Sequence, residues 1–276
     1  MVLAMLLVIG SACAVAEEIN VISREDGSGT RGAFIELFGI EQKDENGNKV
    51  DYTTDEADIT NSTSVMMTSV AGNPNAIGYI SLGSLNDTVK ALNIDGVAAS
   101  VENIKAGIYT VARPFNIATK AEVSEAAQAF IDFILSAEGQ AVVEENGYIA
   151  VVEDAPAYAG SSVEGKVVVA GSSSVTPVME KLKEAYLAIN PNAEIEVQQS
   201  DSSTGMNSAI EGVCDIGMAS RAVKDSELEA GLVSTTIAMD GIAVIVSNDN
   251  AQTDLTADQV RAIYMGEITD WSEVNE

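Results

Sequence analysis

Strand-length apolar runs alternate with helix-length amphipathic segments along this chain, and the joints are loops of Gly, Ser and Thr. That alternation leaves few folds open, because a strand that feeds a helix and then another strand builds parallel sheet covered by helices. Runs at 19–23, 76–81, 166–170, 194–198, 215–218 and 242–246 read as strands, and 109–117 reads as a strand interrupted at Arg113-Pro114. Segments at 30–38, 64–70, 123–135, 136–145, 175–189, 203–211 and 256–264 read as helices. An Asn46-Gly47 pair inside 43–52 predicts a hairpin or a surface excursion. Between the two α/β stretches, EDAPAYAGSSVEG (153–165) is rich in Ala, Gly and Ser and reads as a linker.

Three of the small-residue loops share one plan: each follows a strand and opens a helix. They are Asp26-Gly27-Ser28-Gly29-Thr30, Gly171-Ser172-Ser173-Ser174 and Asp201-Ser202-Ser203-Thr204-Gly205. Each offers free backbone N–H groups, hydroxyls and the positive end of a helix dipole. One such loop is an ordinary N-cap. Three in one chain point to a small oxyanion held by converging helix N-termini. Arg24 precedes the first loop, and a guanidinium fork matches a tetrahedral oxyanion. The competing reading of Arg24 is a surface ion pair, worth about 0–1 kcal/mol.

Composition narrows the chemistry. The 42 acidic residues against 14 basic give a net charge of −28, which argues against nucleic acid and anionic membrane surfaces. It does not forbid a local anion site, because screening acts over about 8 Å at physiological salt. Histidine is absent, which removes Ser-His-Asp and Cys-His catalysis and the commonest zinc ligand. Two cysteines, Cys13 and Cys214, imply no disulfide framework. Residues 1–16, MVLAMLLVIGSACAVA, carry no charge and end in small residues, as a secretory signal does, although a basic leader is missing. Lipidation at Cys13 is the alternative, with Gly10 a poor fit three residues before it. Both place the protein outside the cytoplasm; a buried strand or helix is the third reading of this run.

The residues also carry a resemblance. SREDGSGTRGAF (23–34), NPNAIGYISL (73–82), ARPFNIATK (112–120), FILSAEGQAVVEENGYI (133–149), VVVAGSSSVTPVMEKL (167–182), SDSSTGMNSAI (200–210), CDIGMASR (214–221) and LTADQVRAIYMGEITDW (255–271) resemble the phosphate-binding proteins of phosphate ABC transporters. The match covers nearly all of 17–151 and 166–276. In that family the segment like 166–276 comes first, so the chain reads as a circular permutation with the usual ends joined through 153–165. The resemblance implies an α/β periplasmic-binding-protein-like fold (type II) of two lobes, with mixed, mostly parallel sheets, helices on both faces and a hinge. One lobe would be 17–112 plus 240–276 and the other 116–152 plus 166–237. The crossings near Ala238-Met239 and at 113–115 would form the hinge. The implied phosphate ligands are Arg24, Ser28, Gly29 and Thr30 from one lobe and Ser173, Ser174, Ser202 and Ser220 from the other. Asp26, Arg31 and Arg221 would stand behind them. The family often has an aspartate where this chain has Ser220, which leaves the acceptor of the phosphate proton to Asp26 or to Ser220 itself. The implied role is capture of inorganic phosphate for a membrane permease, by a monomer or a half-exchanged dimer, without cofactor or covalent chemistry.

Other readings compete. The oxyanion could be sulfate, tungstate or molybdate, or the permuted chain could be a surface protein that binds nothing. GSSVEGKV (160–167) nearly spells a phosphate-binding P-loop, but Val167 stands where a magnesium-binding hydroxyl is needed and the stretch precedes a strand. A serine hydrolase lacks its base, though a Ser-Lys pair could replace it. The Asp44 loop has its glycine too early for an EF-hand.

Overall fold

The computed structural model describes residues 17–275. The signal or lipidation reading of 1–16 therefore lies outside the described residues. In chain order the elements are β1 (Asn20–Arg24), α1 (Gly29–Leu37), β2 (Glu41–Lys43), β3 (Lys49–Asp51), β4 (Asp58–Thr60), α2 (Thr63–Ala71), β5 (Ala76–Ser81), β6 (Val89–Ala91), β7 (Asn93–Ile94), α3 (Val101–Lys105) and β8 (Ala112–Lys120). They continue with α4 (Glu125–Ile134), α5 (Ala137–Glu145), β9 (Gly165–Ser172), α6 (Thr176–Ile189), β10 (Ala193–Ser200), α7 (Ser202–Glu211), β11 (Ile216–Ala219), α8 (Asp225–Glu229), β12 (Leu232–Ser247), β13 (Asp254–Leu255) and α9 (Ala257–Tyr264).

The main sheet runs β10-β9-β11-β8-β12-β5-β1-β4, with β6 also paired to β12. Its outer strands are parallel, as the βαβ rhythm requires, and β8 and β12 run antiparallel to their neighbours. Each half of the sheet carries its own apolar core. In one lobe Val21, Phe34, Ile77, Tyr79, Val244 and Tyr264 fill one face, and Ile22, Met66, Ile80, Ala243 and Ile245 fill the other. In the second lobe Phe115, Phe130, Val167, Val169, Tyr186 and Met218 pack on one face, and Ala118, Ala170, Met206 and Ala219 on the other. A strand buried on both faces reads as an unbroken apolar run, which is why GIAVIVS and VVVAG are legible as strands.

Two elements differ from the sequence pattern. The pattern predicts a strand broken at Arg113-Pro114, but β8 runs through both, with Pro114 opposite Met239. The ladder slips in register between Thr236 and Ala238, and proline is tolerated at such irregularities. β12 is also longer than the apolar run at 242–246 indicates. Its first half, LVSTTIAMD, mixes Ser and Thr with apolar residues, and only its pairing with β8 reveals it as a strand.

The ends of the described chain meet. Glu18 and Asp270 form an antiparallel bridge, and the Ile19 amide donates to the Thr269 carbonyl at 2.8 Å. The stretch 153–165 has no regular structure but is fastened to the second lobe. The Tyr158 ring lies 5.4 Å from Phe133 and 6.2 Å from Tyr186, centre to centre, and its amide donates to Glu138 at 2.7 Å.

Phe34 closes the core beneath the first helix. It stacks on Tyr79 with centroids 3.9 Å apart and meets Tyr264 edge-on at 4.7 Å. Replacing Phe34 by Ala should destabilise the protein by about 3–5 kcal/mol through lost burial and a cavity. Chemical denaturation of parent and variant reads this directly, and a loss below about 1 kcal/mol would show that the stack contributes little.

Candidate functional site

The three loops converge, and two of them are closed by a side-chain cap. Ser28 caps α1 by accepting from the Arg31 amide at 3.3 Å. Asp201 caps α7 by accepting from the Thr204 amide at 2.9 Å, which frees the Ser202 hydroxyl for other work. At α6 the Thr176 hydroxyl donates back to the Ser172 carbonyl at 3.1 Å, and Pro177 sits in the first turn. A fourth helix start joins them: α2, capped by Ser62 and opening on Thr63. The sequence pattern starts that helix one residue later and gives Thr63 no role, although Asn61-Ser62-Thr63-Ser64 carries the same small polar signature.

The side chains of these loops interlock between the lobes. Arg24 Nη2 donates to Ser173 Oγ at 3.1 Å, and Thr30 Oγ1 lies 2.8 Å from Ser174 Oγ and 3.3 Å from Ser220 Oγ. Thr63 Oγ1 reaches Ser174 Oγ at 3.2 Å and Ser173 Oγ at 3.4 Å. The Ser220 amide donates to Ser202 Oγ at 3.1 Å, and the Ser203 amide donates to the Gly27 carbonyl at 3.2 Å. Arg24, Thr30, Ser173, Ser174, Ser202 and Ser220 are all buried. A side chain at Gly29 would collide with Ser202 Oγ and come within 2.8 Å of Ser220 Oγ, so only glycine lets the loops approach this closely.

The direction of these bonds matters more than their number. Ser173 Oγ accepts from Arg24 and, at 3.4 Å, from the Thr63 amide. Ser220 Oγ accepts from Ser172 Oγ at 3.0 Å, a partner absent from the expected ligands. Thr30 Oγ1 accepts from Arg113 Nη2 at 3.1 Å. Arginine and amide groups only donate, so the Ser173 and Thr30 hydroxyls have their own hydrogens left to give. Ser172 accepts from the Ser174 amide at 3.3 Å and spends its own hydrogen on Ser220, which leaves the Ser220 hydrogen to give. The cluster is therefore set to donate to an acceptor-rich group.

Arg24 is held in place from three sides. Glu25 takes its Nε and Nη2 in a two-pronged pair at 2.8 Å each. The Tyr79 hydroxyl accepts from the Arg24 amide at 3.2 Å and bonds Ser23 Oγ at 2.9 Å. Burial pushes the Tyr79 hydroxyl up to about 12, so it stays protonated. Arg31 Nη1 donates to the Arg24 carbonyl at 2.8 Å and clamps Asp26 at 2.8 Å and Asp51 at 2.9 Å. Asp26 is 97% exposed at its side chain and bonded to Arg31, so it stands outside the hydroxyl cluster. Arg221 also points elsewhere: it pairs with both oxygens of Glu227 at 2.7 and 2.9 Å and reaches Ser203 at 3.3 Å. Burial alone would raise the Glu227 carboxyl, but the Arg221 pair and the Lys224 amide outweigh it and hold it low.

Behind Thr30 lies a buried ion pair on the two strands shared by the lobes. Arg113 Nη2 is 3.3 Å from Asp240 Oδ2, and Asp240 Oδ1 accepts from the Gly83 amide at 3.2 Å. Burial pushes the Asp240 carboxyl up to about 6, against the lowering pull of Arg113. The folded protein then holds a proton that the unfolded chain has released between about pH 4 and 6, so this group's contribution to stability falls as pH rises through that window. Asp240→Asn removes the term. The melting temperature of the variant minus that of the parent should rise from pH 4 to 6 and level off above, whatever its constant offset. A flat difference would place the Asp240 titration near its ordinary value.

The PBP superfamily domain matches residues 12–138 and 156–276. A phosphate-binding protein PstS 2 of Streptococcus agalactiae is 58% identical over 259 residues, covering 94% of this chain and 88% of the relative. One of the same name from Streptococcus pneumoniae is 45% identical over 256 residues, covering 93% and 87%. The crystal structure of a phosphate-binding protein of a phosphate ABC transporter from Streptococcus pneumoniae superposes with a TM-score of 0.73 at 45% identity, over 93% of this chain and 99% of that one. The two-lobed architecture, the helix-start loops and these matches agree: the chain belongs to the PBP superfamily, in the family of the phosphate-binding proteins PstS.

Proposed function

We propose that this protein captures inorganic phosphate between its lobes and delivers it to a membrane permease of an ABC-type importer. The observation that carries the reading is the cluster of buried hydroxyls from both lobes whose hydrogens are free to be donated, arranged around Arg24. Phosphate oxygens accept, so anion binding would exchange hydroxyl–hydroxyl bonds across the cleft for hydroxyl–oxyanion bonds that are stronger because they are charged. The N-termini of α1, α2, α6 and α7 add favourable dipoles from both sides. Among the expected ligands, Arg24, Thr30, Ser173, Ser174, Ser202 and Ser220 make these contacts, while Ser28 and Gly29 serve by capping and by leaving room. No covalent step is required. Cross-lobe bonds within one chain support a monomer. Export would be the task of residues 1–16, by cleavage after Ala16 or lipidation at Cys13. No helix among the described residues is long and apolar enough to cross a membrane.

Selectivity follows from which group accepts the proton that phosphate carries and sulfate lacks. With Ser220 in place of an aspartate and Asp26 outside the cluster, the acceptor falls to a hydroxyl, and Ser174, Thr63 and Ser220 are the three that no arginine or amide commits as donors. A hydroxyl can turn and donate to sulfate, so it discriminates less sharply than a carboxylate.

The exchanged segment order is part of this reading. The family match falls in two blocks, 12–138 and 156–276, and residues 17–19 pair with 269–271. A chain rearranged to start at Gly165, run to Asn275, continue from Glu17 and end at Val152 should fold and bind as the parent does. Loss of folding in the rearranged chain would count against that order.

Calorimetric titration with phosphate and with sulfate tests the function. Tight one-to-one phosphate binding is expected, with sulfate competing measurably. Arg24→Ala should weaken phosphate binding at least about 30-fold while the fold survives. No phosphate binding by the folded parent would remove the function, and equal binding by the variant would remove Arg24 from the site.

A further inference from the structure

Arg113 is the second arginine of the cleft, and its surroundings differ from those of Arg24. It is 2% exposed, lies on β8 directly opposite Asp240 of β12, and stands 5.3 Å from the centre of the Phe115 ring. A single nitrogen, Nη2, serves both Thr30 and Asp240. Its Nε and Nη1 are buried and bond no other group among the described residues. Buried guanidinium donors left unused are costly, because the group keeps its charge and five N–H bonds at any physiological pH. A structural ion pair built for stability would spend the fork on the carboxylate, as Arg24 does on Glu25. Arg113 instead turns one nitrogen to the threonine at the centre of the cross-lobe cluster. Asp240 Oδ2 lies 3.3 Å from that same nitrogen and leaves the rest of the fork unused.

We propose that Arg113 is a positioning residue of the anion site: by donating to Thr30 Oγ1 it turns the Thr30 hydroxyl hydrogen towards the bound anion, and its charge strengthens that bond. Thr30 Oγ1 has one hydrogen. With Arg113 occupying a lone pair, that hydrogen is directed to Ser174, to Ser220 or to an anion oxygen placed between them. The effect grows in a buried, water-poor site, where bonds in a chain polarise one another. Asp240 keeps the guanidinium at this height on the strand. Because β8 and β12 belong to both lobes, the same contact ties the hinge to the ligand. The proposal rests on the phosphate reading above.

The test is a double-mutant cycle in the full chain, titrated with inorganic phosphate. Arg113→Gln is combined with Asp240→Asn so that no charge is left buried alone, and the pair is measured with Thr30 intact and in a Thr30→Val background. With Thr30 present the pair should weaken phosphate binding about 10- to 100-fold. In the Thr30→Val background the same pair should cost less than about 3-fold, because the route through Thr30 is already gone. Equal losses in the two backgrounds, or no loss in either, would overturn the proposal. If the paired variant loses its melting transition, Arg113→Lys keeps Asp240 partnered and replaces the fork by a point charge. It should bind about 3- to 10-fold more weakly with Thr30 and near the background value without it, and parental affinity would overturn the proposal. A folded parent that binds no phosphate defeats the functional reading first, and this inference falls with it. A parent that binds, with variants that match it, defeats this inference alone.

Discussion

The antiparallel pairing of β8 with β12 is the constraint on which the rest depends. These strands lie side by side in the middle of the main sheet, and each lobe grows outward from them. On one side β11, β9 and β10 extend the sheet, and on the other β5, β1 and β4 do so. Backbone pairing is local and directional, so it fixes how far the lobes stand apart while allowing a small rotation between them. The register shift at Thr236/Ala238 and the proline at 114 fall at the crossing, where the ladder is least regular. Arg113 and Asp240 face each other one step further along. On the proposed reading, the loops that face the anion are anchored to the element about which the lobes would turn.

A chain with a net charge of −28 presents its few arginines selectively. Arg24, Arg113 and Arg221 are buried and Arg31 nearly so, each beside a carboxylate that steadies it. On the proposed reading, the cleft would meet its anion chiefly with neutral donors: hydroxyls, amides and helix ends. That arrangement suits an anion that must also leave, because a dense cluster of uncompensated cations would hold any oxyanion and would strain the closed state in its absence. Surface acidity acts at a distance and is screened, whereas the donors act at contact.

Much of the candidate site is legible in the sequence, for a physical reason. A loop that must cradle an anion needs small residues and helix starts at fixed places, so SREDGSGT, GSSS and DSSTG announce themselves. Ser172 and Thr63 belong to the same kind of signature, yet nothing local says which hydroxyl of a serine run faces inward. Glu25 and Asp26 both follow Arg24 closely in sequence, but the turn sends one carboxylate to the guanidinium and the other to solvent and Arg31. Arg113 sat in a stretch read as a break in a strand. Its meaning depends on Thr30 and Asp240, which lie 83 and 127 positions away in sequence.

The sequence by itself determined the α/β class, the positions of the loops and the chemistry they offer, because hydrophobic period, helix caps and small residues are local properties. It also marked the likeness to phosphate-binding proteins through motifs that are local too. Only the tertiary structure decided which donors meet across the cleft, in which direction their hydrogens point, and that the stretch before Asp240 continues β12 from one lobe into the other. Those features arise from contacts between segments far apart in the chain, and no local pattern of residues encodes a distance between them.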